Sequence, residues 1–119
     1  PDIKSSASLS ESQIKEKEAD SILKRVGEND FLVLLDEHGK MLSSVEFANN
    51  IESHLIRGTK RVIFVIGGAY GFADRVYKRA DNKISLSKMT FSHQMVRLIF
   101  VEQIYRAFTI LKGEPYHHK

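Results

Sequence analysis

Three glycines come directly after an apolar run that has the length of a buried strand. Gly67, Gly68 and Gly71 follow the run 61–66, and a short helix is predicted a few residues later. Glycine permits positive φ and lets a ligand approach the backbone, and open α/β sheets bind ligands beyond the carboxyl ends of their strands. The spacing is neither that of a G-x-G-x-x-G loop nor that of a P-loop. A ligand-binding loop and a plain tight turn therefore both remain open.

Two further segments are expected at the same edge of the sheet. One is the end of the first predicted strand, from Leu35 to Gly39, and the other is the polar stretch 86–94 after the third strand. In the simplest interpretation, Ser92 or Thr90 caps the long helix that follows. The same position also suits the second wall of a ligand cleft. Three loops at one sheet edge predict such a cleft more strongly than any of them alone.

The histidines do not have the spacing of a metal site. The chain has five histidines and no cysteine, and neither H-x-x-x-H nor H-E-x-x-H occurs. The lack of cysteine excludes disulfides, thiolate metal sites and cysteine nucleophiles, and no G-x-S-x-G motif is present. We predict that His38 and His54 are exposed bystanders. His93, at the start of the long helix, is either a structural residue or a base near the cleft.

Charged and aromatic residues near the C-terminus are further candidates. Arg97 and Glu102 lie in the most apolar helix, where an unpaired charge is expensive. Either they pair across a helix or dimer interface, or Arg97 points into the cleft and holds an anion. Tyr116 and His117 belong to a polar tail that is either an ordinary disordered terminus or a segment that closes over a site, including the partner's.

Positive charge is concentrated in the middle of the chain. Residues 57–88 carry eight basic and two acidic side chains, whereas residues 1–56 carry six and 11, and the net charge of the whole chain is +3. This segment is either a solvated helix face or a surface that contacts phosphates. The candidate phosphate contacts are Arg75, Lys78, Arg79 and Lys88.

Alternating helices and strands are predicted to position these residues. A chain of 119 residues has the length of one domain, and the alternation predicts a parallel sheet covered by helices. Capping boxes at Ser10 and Ser43 begin two helices, which end at Gly27 and Gly58. Buried strands are predicted at 31–35, closed by a turn at 36–39, and at 61–66. A short helix at 74–80 and a short strand at 84–86 follow. The second helix is expected to present Phe47, Ala48, Ile51 and Leu55 on one face.

The last predicted helix, 93–112, is apolar on more than one side. It holds 12 apolar residues among 20, and such a helix must be covered on more than one side. In so small a protein, a second copy of the chain is the economical cover.

No run is long enough to span a membrane and no signal segment opens the chain, which is compatible with a cytoplasmic protein. Since the sequence begins at Pro1 rather than methionine, we expect it to be a fragment.

Several motifs together resemble the RlmH family. They are IGG at 66–68, LSKMTF at 86–91, HQMVR at 93–97, EQIYRAF at 102–108 and GEPYH at 113–117. Members of that family are SPOUT-class methyltransferases, which use S-adenosylmethionine to methylate N3 of a pseudouridine in large-subunit ribosomal RNA. The resemblance runs from about Ser10 to the C-terminus. Family members carry an additional strand and helix before that point, so the chain is expected to be N-terminally short. Ser92 also replaces a proline that is common in the family, which affects loop rigidity more than chemistry.

The resemblance implies a fold, a cofactor and a set of site residues. Residues 1–119 would form one SPOUT-type α/β domain with a C-terminal trefoil knot, an exception to unknotted topology, and would form a homodimer through the long helix. The residues that the resemblance assigns to S-adenosylmethionine are Leu35, Gly67, Leu86, Ser87, Lys88, Met89, Thr90 and Phe91. For proton removal from N3 and electrostatic support, the candidates are His93, Arg97, Tyr116 and His117. The ribosome is the expected partner. The alternative is a non-catalytic nucleotide- or RNA-binding module, or an inactive fragment of the enzyme.

Overall fold

The structure is a computed structural model that describes residues 10–67, 71–86 and 92–114. Helices and strands alternate along the chain, as the sequence predicts. The elements are α1 (Glu11–Lys24), β1 (Phe31–Met41), α2 (Ser44–Arg57), β2 (Val62–Ile66), α3 (Asp74–Arg79), β3 (Asn82–Ser85) and α4 (His93–Leu111). In the part of the chain described, no helix combines the length and the apolar character needed to cross a membrane.

Side-chain caps begin three of the helices where the sequence predicts them. The Ser10 hydroxyl accepts from the Gln13 amide at 3.2 Å, and the Ser43 hydroxyl accepts from the Glu46 amide at 3.1 Å, each within a complete capping box. At the start of α4, the Ser92 hydroxyl accepts from the amide of Met95. These bonds satisfy donors that the first turn of a helix leaves unpaired. The predicted helix starts are therefore confirmed.

Within the described residues, three parallel strands form the sheet in the order β2-β1-β3. The predicted parallel sheet is confirmed. Because β1 is central, its residues 32–35 are buried, whereas β2 lies at an edge and is only half-buried. The prediction of a second buried strand is wrong, since every residue of β2 is half-buried. β3 begins two residues before the predicted strand and ends at Ser85.

β1 does not stop at Leu35. The structure extends the strand to Met41. Residues 36–39, for which the sequence predicts a closing turn, instead interrupt its pairing with β3. Leu35 and Lys40 both lie opposite Ile84. The segment passes very close to β3, because a Cβ on Gly39 would lie 2.7 Å from the backbone nitrogen of Ile84. Glycine in a strand commonly marks such a bulge or close approach.

Two apolar cores lie on opposite faces of the sheet. Leu32 and Leu34 of β1 pack with residues of α1 and α3, whereas Val33 and Leu35 pack with residues of α2 and α4. This division follows from the alternation of side chains along a strand. The fold therefore has three layers, with the sheet between two helix pairs.

The two sides of α4 have different surroundings. Phe100, Ile104 and Ala107 face the core beside α2 and the sheet. The opposite side carries large exposed apolar residues, which are Met95, Leu98, Val101, Tyr105 and Phe108. The chain covers one of the two apolar sides that the sequence predicts.

On the same helix, Glu102 pairs with Arg106 at 2.9 Å, so this partner of Glu102 lies four residues along its own helix. Arg97 is exposed.

His54 is buried, so its assignment as an exposed bystander is wrong, whereas His38 is exposed as predicted. The last turn of α2 places the imidazole against Phe31, with ring centroids 4.3 Å apart. Its Nδ1 lies 3.1 Å from both the Thr59 hydroxyl and the Arg57 guanidinium. Both neighbours suit an Nδ1 that accepts, which is the neutral imidazole. Burial, and secondly the charge of Arg57, lower the pKa of His54 below its ordinary value of 6.5.

This lowered pKa predicts a pH-dependent stability. Because the unfolded chain binds a proton at His54 more readily than the folded chain does, the free energy of unfolding falls as the pH drops from about 7.5 through 6.5 and below. Chemical denaturation at several pH values between 5 and 7.5 measures this slope. We expect His54→Gln to flatten it and His38→Gln, an exposed control, to leave it unchanged. Equal slopes in the wild type and His54→Gln would contradict the assignment.

Candidate active site

The carboxyl ends of β2 and β3 lie beside Leu35, the last residue of β1 before its pairing with β3 is interrupted. Leu35 lies opposite both Ile66 and Ile84, and the amide of Gly67 donates to the carbonyl of Leu35 at 3.4 Å. Leu86 directly follows β3. Parallel strand ends at one edge are the usual position of ligand sites in α/β folds.

The glycines after β2 allow a tight approach of the chain to its neighbours. A Cβ on Gly67 would lie 2.9 Å from the ring of Phe72, and Gly71 has φ of 77°. Side chains at these positions would displace the buried Phe72 ring or strain the backbone. Gly68 lies outside the described residues. At Gly67 and Gly71, glycine is required by the packing and by the backbone.

A cleft of about 260 Å³ adjoins this edge. It lies between three elements, which are the end of β3, the start of α2 and the middle of α4. Leu86 forms part of its wall. Ser44 donates to Gln103 across it at 2.8 Å. Sequence reasoning missed this contact, because the two residues are 59 positions apart. Five apolar and four polar residues line the cleft, and neither Leu35 nor Gly67 is among them.

A tyrosine and a carboxylate also lie at this edge and were missed by the sequence analysis. Tyr77 of α3 donates to Oδ2 of Asp36 at 2.6 Å, and Oδ1 of Asp36 accepts from the amide of His38 at 3.3 Å. Burial and the hydrogen bond to the carboxylate raise the pKa of Tyr77 to about 12. The tyrosine therefore remains a protonated donor throughout the physiological pH range.

The structure describes only some of the other predicted site residues. Ser87, Lys88, Met89, Thr90, Phe91, Tyr116 and His117 lie outside the described residues. His93 is the first residue of α4, and Arg97 follows one turn later. The backbone of α4 thus places both directly after the segment 87–91. The described residues contain no cluster of histidine, aspartate and glutamate that could hold a metal ion.

Two of the predicted RNA-contacting arginines have partners within the chain. Arg75 donates to Glu16 at 2.8 Å and to Asp20 at 2.5 Å, which joins α3 to α1. Arg79 donates to the carbonyls of Gly27 and Asp30 and also pairs with Asp81. Lys78, between the two arginines, is exposed. Arg75 and Arg79 therefore support the fold, whatever contacts they make with a partner.

The parallel sheet has helices on both faces, glycines after β2 and a cleft beside its strand ends. These features are typical of α/β proteins that bind small molecules at the sheet edge. The chain belongs to the SPOUT methyltransferase family, since the family model described as "Predicted SPOUT methyltransferase" matches residues 1–117.

Relatives from three bacteria cover the whole chain. A protein of Christiangramia forsetii is 63% identical, one of Parabacteroides distasonis 60% and one of Flavobacterium johnsoniae 57%, each over 119 residues. Each is named "Ribosomal RNA large subunit methyltransferase H", and the aligned region is 76% of its length. The resemblance that the sequence motifs indicate is confirmed, and it extends to Pro1 rather than beginning near Ser10.

Proposed function

We propose that this protein transfers a methyl group from S-adenosylmethionine to N3 of a pseudouridine in large-subunit ribosomal RNA. The observation that carries the proposal is that Gly67, directly after β2, bonds to the carbonyl of Leu35, which also lies opposite Ile84 near the end of β3, in a chain of the SPOUT methyltransferase family. The names of the relatives support the RNA substrate. A ribosomal substrate implies that the protein works in the cytoplasm.

The residues at the sheet edge fit the proposed cofactor. Leu35 and Leu86 belong to the apolar core on the α2 and α4 side of the sheet, Gly67 and Leu35 would offer backbone groups, and residues 87–91 would complete the contacts. When bound, S-adenosylmethionine supplies a methyl group on a positively charged sulfur. The protein would contribute orientation, chiefly through backbone contacts, together with an environment from which water is excluded.

N3 must lose its proton to attack well, so the site needs a base or a group that stabilises the N3 anion. The candidates are His93 at the start of α4 and Tyr116 or His117 of the partner subunit's tail, with Arg97 as an electrostatic contributor. The exposed position of Arg97 is compatible with a substrate that approaches from solvent.

The exposed apolar side of α4 supports a homodimer as the active form. Its large residues recur every three or four positions, from Met95 through Leu98 and Val101 to Phe108, and so form one stripe along the helix. A stripe of this kind suits a symmetric contact in which the same surface of two copies meets. The trefoil knot that the family resemblance implies belongs to this proposal as well.

Methylation of intact ribosomes and of free ribosomal RNA, with the mark located by mass spectrometry, tests the proposed function. We expect one methyl group on N3 of a pseudouridine, with ribosomes as the better substrate. Calorimetry with S-adenosylmethionine serves as the companion measurement. Cofactor binding without transfer to either substrate would instead support an inactive fragment. RNA binding without cofactor binding would support a non-catalytic RNA-binding module.

Lys78 provides the cleanest test of the proposed RNA surface, which also includes Lys88 and the two neighbouring arginines. Reversal of Arg75 or Arg79 would break bonds within the chain, whereas Lys78 is exposed. If Lys78 contacts a phosphate, Lys78→Glu weakens ribosome binding and lowers the slope of log affinity against log salt by about 1. Filter binding at several salt concentrations measures both. Lys17→Glu, the same charge change at an exposed position of α1, should have little effect, and equal losses would contradict the assignment.

A further inference from the structure

Tyr77 contacts or directly adjoins all three segments that converge at the proposed cofactor edge. Its hydroxyl donates to Asp36, the residue directly after Leu35 of β1. Its ring packs edge-on against Phe72, with centroids 5.7 Å apart, and the ammonium of Lys83 in β3 lies 5.2 Å from the ring centroid. One side chain of α3 thus touches β1 where its pairing is interrupted, Phe72 after β2, and Lys83 of β3.

Each contact acts on backbone that the proposed site uses. Asp36 uses its second carboxylate oxygen to accept the amide of His38, so the tyrosine and the interrupted part of β1 are held through one carboxylate. Phe72 occupies the space beside Gly67, since a Cβ on Gly67 would meet its ring at 2.9 Å. A Cβ on Gly71 would lie 3.4 Å from the Tyr77 hydroxyl oxygen. The tyrosine therefore limits the positions that these backbone segments can adopt.

We propose that Tyr77 is a positioning residue for the S-adenosylmethionine site, holding β1 at its interruption through Asp36 and Gly67 through Phe72. The inference rests on the proposed function. Tyr77 acts through these neighbours rather than by touching the cofactor. A site that is held in its binding geometry beforehand binds more tightly, because less conformational freedom is lost on binding.

Tyr77→Phe removes the hydroxyl and retains the ring that packs on Phe72. We expect the dissociation constant for S-adenosylmethionine, and the KM for it in ribosome methylation, to rise about 3- to 10-fold. A change of this size corresponds to the net free energy of one hydrogen bond. The kcat at saturating cofactor should stay within about twofold. A role in fold stability alone would not produce this division between KM and kcat.

Thr59→Val is the matched control. It also deletes one hydroxyl that makes a half-buried hydrogen bond, to His54 beside the first residue of β1, at the opposite edge of the sheet. We expect it to lower the thermal midpoint without changing cofactor binding. An unchanged dissociation constant in Tyr77→Phe, or an equal rise in Thr59→Val, would overturn the proposal.

Substitutions of Asp36 test the same contact from the other side. Asp36→Asn retains an oxygen that accepts the Tyr77 hydroxyl, so it should weaken cofactor binding less than Asp36→Ala does. In the double variant with Tyr77→Phe, the effect of Asp36→Ala should be smaller than in the wild type, because the two residues act as one unit. Additive effects would overturn the proposal.

Hydrogen exchange in the cofactor-free protein separates this inference from the proposed function. Tyr77→Phe should speed exchange at the amides of Gly67 and Gly71 relative to both the wild type and Thr59→Val. Unchanged exchange there would overturn the positioning role. A wild-type protein that binds no S-adenosylmethionine would overturn the proposed function, while faster exchange in Tyr77→Phe would still uphold the structural half of the inference.

Discussion

A chain that ends at Gly113 is expected to lose methyl transfer and still bind S-adenosylmethionine nearly as well as the full chain. The truncation removes Tyr116 and His117, which the proposal places in the partner's site. Loss of a general base or of a group that holds the substrate costs on the order of 10²-fold or more in rate. The proposed cofactor contacts, in contrast, involve Leu35, Gly67 and residues 86–91, which the truncation retains. Single-turnover methylation of ribosomes and calorimetry with the cofactor measure the two effects separately.

The end of α4 makes this truncation interpretable. The helix ends at Leu111, and Gly113 then adopts the left-handed conformation with φ of 73° that commonly ends helices. A shorter deletion, of His118 and Lys119 only, is the control and should remain active. Tyr116→Phe and His117→Gln in the full chain then assign the loss to one side chain. Full activity in the chain ending at Gly113 would exclude the tail from the site.

Helix starts could be predicted from sequence because they depend on neighbours in the chain. The capping boxes at Ser10 and Ser43 each join residues three positions apart, and the serine that caps α4 does the same. The parallel sheet follows from the alternation of helices and strands. Because parallel strands share a direction, the ends of β2 and β3 are expected at one edge of the sheet, whereas no local pattern predicts that β1 continues to Met41.

The remaining features depend on which elements become neighbours, which a local pattern does not contain. The half-burial of β2 results from its edge position, and the burial of His54 results from the packing of the end of α2 against Phe31. Tyr77 and Asp36 are 41 positions apart. Tyr77 has the spacing of an ordinary helix residue, and Asp36 that of a turn residue. Sequence reasoning could therefore predict the location of the candidate site but not the side chains that support it.

Leu98→Asp is expected to convert the proposed dimer to a monomer without unfolding the chain. Leu98 is 63% exposed within the apolar stripe on α4, so the substitution disturbs no core of its own subunit. In a symmetric dimer the carboxylate would be buried in both copies at once. A buried unpaired charge costs several kcal/mol, so the dimer dissociation constant should rise at least about 100-fold. Sedimentation velocity measures the change in mass, and circular dichroism reports whether the helices remain.

Ile56→Asp supplies the matched control, because Ile56 is 79% exposed on α2 and lies outside the stripe. The same change in polarity there should leave the mass unchanged. If the partner's tail completes the site, Leu98→Asp also abolishes methyl transfer. The separated subunit still contains Leu35 and Gly67, so the loss would come from the missing partner. A monomer with full activity would contradict a shared site, and a wild-type monomer would contradict the dimer itself. The two sides of α4 would then have separate roles, since its inner side forms the core of one subunit and its outer side brings a second tail to the cofactor edge.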